Sequence, residues 1–162
     1  MSSIITINFV SNDSIELNID SLEAANLNDL NLHRAILNNQ SLKRANLSRT
    51  NLRGAQLKNT NLSQAILTSA LLMTSDLEFA NLESCDLTKA NLAAANLKGS
   101  NLSKATLKET DVWSVDFTDA NLAGAVMLCK RISDAVFTNA VYDENTIWPE
   151  SFNPLLLGAI KV

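Results

Sequence analysis

The chain has 162 residues, about one domain, with 26 Leu, 20 Asn and 19 Ala but only 4 Gly and 2 Pro, which excludes collagen-like and Pro/Gly-rich disordered classes. Its net charge is −4, and its hydrophobic content of 46% is enough to build a core. No apolar run approaches the ~20 residues of a membrane-spanning helix, and one His with two Cys leaves little for metal or thiol chemistry.

The N-terminal residues 1–8 have no basic stretch followed by a long apolar one, so no signal peptide and a cytoplasmic location are expected. Residues 4–10 and 15–19 alternate in strand fashion around Ser11-Asn12-Asp13-Ser14, a turn-like cluster. They read as a hairpin, or as a strand and first coil edge, closing the N-terminal end. Charge is unevenly placed. Residues 1–29 carry five acids and no base, and residues 30–75 carry six bases (Arg34, Lys43, Arg44, Arg49, Arg53, Lys58) and no acid.

From Leu22 every fifth residue is apolar. The series is Leu without exception to Leu107, eighteen in a row, and continues as Val112, Phe117, Leu122, Met127, Ile132, Phe137, Tyr142 and Ile147. Calling each of these 26 residues a centre, the position two before it is Ala in fourteen of 25 units and Ser, Thr or Cys in six; the position one before is Asn or Asp in fourteen. A period of five scatters residues around a helix and alternates them across a strand, so neither leaves one buried face. An extended pair that turns by about 90° every five residues does. Twenty residues then close one coil, and coils stack at about 4.8 Å. The centre fills the axis, the small residue lets the walls approach, and Asn or Asp bonds turn backbone.

The unit Ala-Asn-Leu-x-x, as in Ala45-Asn46-Leu47-Ser48-Arg49, resembles that of the pentapeptide-repeat proteins over about residues 20–147. The resemblance implies an all-β, right-handed quadrilateral parallel β-helix of about six to seven coils. The expected division is residues 1–19 as N-terminal cap, 20–147 as β-helix and 148–162 as C-terminal cap. The ending Trp148-Pro149 … Phe152 … Pro154 looks like that of cyanobacterial members, with Trp148 and Phe152 over the last coil. The apolar Leu155–Leu157 offers the alternative of a C-terminally mediated dimer rather than a monomer.

No nucleophile elbow, phosphate loop or zinc pattern is present, and no insertion breaks the register to make a pocket, so neither catalysis nor any cofactor or metal is expected. His33 reads as an ordinary exposed residue. Cys85 falls inward and Cys129 outward, roughly 10 Å apart across two coils, beyond disulfide reach. Lys130, at a small-residue position beside Arg131, predicts a local bulge with the Lys130 head turned out. The basic residues spread over all sides, with no aromatic between Phe9 and Phe79, so nucleic acid is not the expected partner. The outward residues Leu71, Met73, Ala93, Ala94 and Trp113 stack on one face as an apolar strip, the candidate site for a protein partner. The reading is a rigid, non-enzymatic protein-interaction scaffold. The alternative implied by the resemblance is a DNA mimic binding a type II topoisomerase (gyrase), which needs a long, dominantly acidic rod.

Overall fold

The computed structural model describes residues 3–162. It is a parallel solenoid built on single-residue bridges twenty positions apart. Four ladders climb it: Asn26–Asn46–Ile66–Asp86–Thr106–Val126, Asn31–Asn51–Leu71–Asn91–Asp111, Ile36–Gln56–Asp76–Asn96–Asp116 and Ser41–Asn61–Asn81–Asn101–Asn121. Every Leu from Leu22 to Leu107 in the five-residue series is buried, as are the Ala residues beside them from Ala35 onward.

A five-residue stretch with Asn or Asp before its centre forms this coil because each of its backbone N–H groups finds an acceptor. In residues 44–48, the Ala45 amide donates to the Leu42 carbonyl at 3.0 Å, closing a turn. Arg44 in that turn has φ 59° while Lys43 does not have positive φ, the type II pattern. The Arg44 amide donates up to Ser63 at 2.9 Å, Asn46 donates down to Ala25 at 2.9 Å, and Leu47 donates up to Ile66 at 2.7 Å. The fifth donor, Ser48, is met by the Asn46 side chain, whose Oδ1 accepts at 3.1 Å. That bond is why Asn or Asp recurs before the centre. It repeats from Asn61 to Ser63, Asp76 to Glu78 and Asn81 to Glu83. Where Thr replaces Ala in the wall, its hydroxyl donates to a carbonyl one coil below, as Thr50 does to Leu27 at 2.8 Å.

The N-terminal residues make an antiparallel hairpin of β1 (Ile4–Asn8) and β2 (Ser14–Asn18). Ile5, Ile7, Phe9, Ile15 and Leu17 pack onto the first coil. The Ile36 amide donates to the Asn8 carbonyl at 2.8 Å, so the hairpin occupies the ladder place below Ile36.

The register expected to run unbroken to Ile147 slips twice. Asp111 pairs with Lys130, nineteen residues on, before Asp116 pairs with Val136 at the usual twenty. The early step gives the wall place to Cys129 and the outward ladder place to Lys130, which sparing burial of an ammonium favours. The missing residue is restored at once through Arg131 at φ 55° and a 3-10 turn, Ile132–Asp134. Cys129 is therefore half-buried rather than outward, and burial pushes both its thiol and that of Cys85 up to about 12. Both cysteines are free.

At the second slip Val126 pairs with Ile147, twenty-one residues on. Ile147 is therefore not a centre but a ladder residue, 51% exposed. Trp148 lies inward instead, edge-on to Tyr142 at 5.5 Å and Phe137 at 5.6 Å and stacked on Phe152 at 5.3 Å. The indole covers more of the wide coil end than an Ile side chain can. Asp143 takes up the extra residue by accepting from the Gly124 amide at 2.8 Å. Beyond it, Asn153 caps the 3-10 turn Pro154–Leu157, and β4 (Ile160–Lys161) pairs in parallel with β3 (Val141–Tyr142).

Candidate functional site

The outward columns of the second ladder form one face. Its ladder residues are Asn31, Asn51, Leu71, Asn91 and Asp111. The residues after each centre are His33, Arg53, Met73, Ala93 and Trp113, followed in the turns by Arg34, Gly54, Thr74, Ala94 and Ser114. The five candidate residues thus stand in adjacent columns on coils that follow one another. Their exposure is narrower than the expected strip. Ala94 and Trp113 are exposed, but Leu71, Met73 and Ala93 are half-buried, because residues one coil above and below flank each of them.

Two details mark this face. Leu71 stands where Asn or Asp would satisfy the next amide but one. His33, Arg53, Ala93 and Trp113 each donate their amide to the preceding Asn or Asp. Among the described residues, the Met73 amide has no such acceptor. Trp113 is 46% exposed and yet held in place. The Arg131 guanidinium lies over its ring, 5.5 Å from the centroid. Arg131 in turn forks onto Asp111, with Nε 2.8 Å from Oδ1. The Arg131 guanidinium holds the Asp111 carboxyl below the usual carboxylate range. Such a depressed group stabilises the fold above its unfolded value and loses that contribution as pH falls through the folded one. Accordingly, in a Trp148→Phe background, Trp113 fluorescence should stay constant from neutral pH to about 4 and change below it. A Trp113 signal that moves between pH 5 and 7 would contradict the clamp.

Arg131 was not singled out from the sequence as a partner of Trp113. The signal was its place twenty residues after Asp111. Phe79 was missed as well. It is 56% exposed in a turn at φ 57°, with the Lys58 ammonium 5.7 Å from its ring centroid. Its ring occupies the room left by Gly99 one coil above, where a Cβ would overlap the ring. Elsewhere on the surface, Arg49 pairs with Asp29, Lys58 with Glu78 and Lys98 with Asp116. His33 is exposed and borders a cavity of about 400 Å³ with Phe9, Asp13 and Asn31. Among the described residues no three His, Cys, Asp or Glu side chains come together as a metal would require. No helix among them is long and apolar enough to cross a membrane.

The family model for pentapeptide repeats matches eight copies, over residues 21–54, 31–68 and 75–113. The chain belongs to the pentapeptide repeat family. No curated protein matches it. Among solved structures, it is 33% identical to a pentapeptide repeat protein from Nostoc Pcc 7120, over 63% of this chain and 84% of that one, with a TM-score of 0.61. It is 30% identical to a pentapeptide repeat protein of the Arabidopsis thaliana thylakoid lumen, over 61% and 69%, with a TM-score of 0.60. HetL, a pentapeptide repeat protein involved in heterocyst differentiation regulation in Nostoc sp. strain PCC 7120, is 25% identical over 85% and 68%, with a TM-score of 0.53. These likenesses give the solenoid its hand: it is a right-handed β-helix.

Proposed function

We propose that this pentapeptide repeat protein is a non-enzymatic, cytoplasmic interaction scaffold whose partner docks on Leu71, Met73, Ala93, Ala94 and Trp113. The β-helix is quadrilateral, of six to seven coils, with residues 1–19 and 148–162 as its caps. The observation that carries the reading is Trp113, an exposed indole that the fold does not bury but does hold, through Arg131 and Asp111. Pre-ordered aromatics surrounded by apolar contacts are what interface hot spots consist of. Leu71 adds to this, since an Asn there would complete the backbone bonding at no cost. The likeness to HetL supports a regulatory role and a cyanobacterial source. The test is photo-crosslinking in source-cell extract from a photoreactive residue placed at Ala94. A defined adduct that Trp113→Ala reduces at least ten-fold is expected. Adduct recovery unchanged by Trp113→Ala would sink this site.

The topoisomerase-mimic alternative lacks the acidic rod it needs, because Arg34, Lys43, Arg44 and Arg53 interrupt the acidic surface with no carboxylate partner among the described residues. A second surface does invite self-association. Leu155, Leu156, Ile160 and Val162 are exposed at the C-terminal end, Leu156 at 82%. If a dimer forms, this end mediates it, and light scattering should then show Leu156→Glu converting it to monomer. A dimer that persists in this variant would exclude the C-terminal end.

A further inference from the structure

We propose that the face carrying Trp113 receives an amphipathic helix of a partner protein, laid along the solenoid axis, with carboxylates at the end over Arg34 and Arg53. The inference rests on the strip being an interface and adds the partner's chemistry, form and direction.

The face is graded in charge along its length. At its lower end His33, Arg34 and Arg53 are exposed, and neither arginine has a carboxylate partner among the described residues. The nearest acid of the hairpin, Asp13, borders the cavity beside His33 and accepts from the Ser11 hydroxyl at 2.9 Å. Gly54 contributes room. Its φ of +60° is shared by many non-glycine turn residues of this fold, so conformation does not demand glycine here. A Cβ at Gly54 would sit 3.4 Å from the Arg34 Cγ. The Arg34 stem thus lies along the wall towards the coil of Arg53, bringing two guanidinium groups to one end. The middle of the face, Leu71, Met73, Ala93 and Ala94, has no charge. At the upper end Arg131 is neutralised by Asp111, and the exposed Lys130, the ladder residue above Asp111, balances Asp134, neither being paired among the described residues. The flanking Asp29 is likewise taken up by Arg49. A partner with acids at the Arg34–Arg53 end is attracted; the reverse orientation puts its acids over an end with no net charge and forfeits that attraction.

The form follows from the backbone. Adding a strand needs free N–H and C=O groups. On this face the ladder amides are already used: Asn51 donates to Leu30, Leu71 to Thr50, Asn91 to Ala70 and Asp111 to Ala90. A partner must therefore dock through side chains, which a helix presents. From His33 to Trp113 is four coil steps, about 19 Å, matched by about 13 residues of helix. The Met73 amide at the centre, which has no acceptor among the described residues, takes one polar side chain of that helix.

The experiment selects binders to the full chain from a phage-displayed library of random 16-residue peptides and measures the enriched peptides by fluorescence anisotropy. Enriched peptides should carry Asp or Glu clustered at one terminus and apolar residues at helical spacing. Binding should fall at least ten-fold in the double variant Arg34→Glu/Arg53→Glu and in Trp113→Ala, and should weaken with added salt. All these side chains point outward, and unchanged circular dichroism and unfolding midpoints verify the fold. Binding lost in Trp113→Ala but kept in the arginine variant overturns this proposal and leaves the interface standing. Binding lost only in the arginine variant overturns the interface as well. Enrichment of basic peptides, no binder sensitive to either variant, or a labelled single-stranded DNA 20-mer bound through the same arginines in place of peptide, overturns the proposal outright.

Discussion

Leu72→Ala should lower the unfolding free energy by about 2–5 kcal/mol, while Leu71→Ala, one residue earlier, should change it by no more than about 1 kcal/mol. The two leucines are neighbours in sequence and identical in composition. Leu72 is fully buried, on the axis between Leu52 and Leu92. Leu71 is a half-buried ladder residue facing outward. Truncating Leu72 removes its transfer free energy and leaves a cavity that the coils above and below cannot close, since each is fixed by its own ladder bonds. Truncating Leu71 removes side-chain contacts at the surface alone. Urea unfolding followed by far-UV circular dichroism checks both. Equal losses in the two variants would contradict the assignment of axis and face.

Phe137→Ala should cost about 3–5 kcal/mol, and the damage should stay at one end. Phe137 is buried and stacks on Phe117 at 5.1 Å, and it meets Trp148 at 5.6 Å and Phe152 at 5.7 Å. It is thus the ring through which the aromatic plug grips the last regular coils. Because each coil touches only its neighbours, loss of the plug should free residues 141–162 before the rest. Hydrogen exchange should show amides there losing protection while those near Leu52–Leu92 keep theirs. Uniform loss along the chain would show that the solenoid unfolds as one cooperative unit instead.

The centres from Leu22 to Leu122 were legible because one chemical demand, an apolar side chain on the axis, repeats without competition. The two slips were legible to different degrees. Lys130 announced its own, since an ammonium cannot occupy a wall place. Ile147 concealed the second, because it satisfies the period while Trp148, the larger ring, satisfies the space. The turn conformation was hidden for another reason. The positive φ of the turn residues, Arg44, Phe79 and Lys89 among them, contradicts their individual preferences, and only the ladder bonds of the whole stack hold them there. At the candidate site, Trp113 stood out by residue type. The half-burial of Met73 and the clamp of Arg131 on Trp113 depend on contacts twenty residues apart, and the Arg131 clamp further requires the slip that precedes it.

The twenty-residue ladder spacing also constrains how such a chain can change length. Inserting or deleting one whole coil between the hairpin and residue 120 would shift every later residue up or down by one step and leave each on its own face. A single-residue insertion would turn every later column by one position and send charged residues to the axis. The two slips show how such a change is tolerated: at Lys130 a residue is lost and restored within the next unit, and at Ile147 an extra residue enters at the last coil, where no regular coil follows. Whole-coil duplication is thus the change of length open to this architecture, and it would separate the basic and aromatic ends of the Trp113 face in steps of about 4.8 Å.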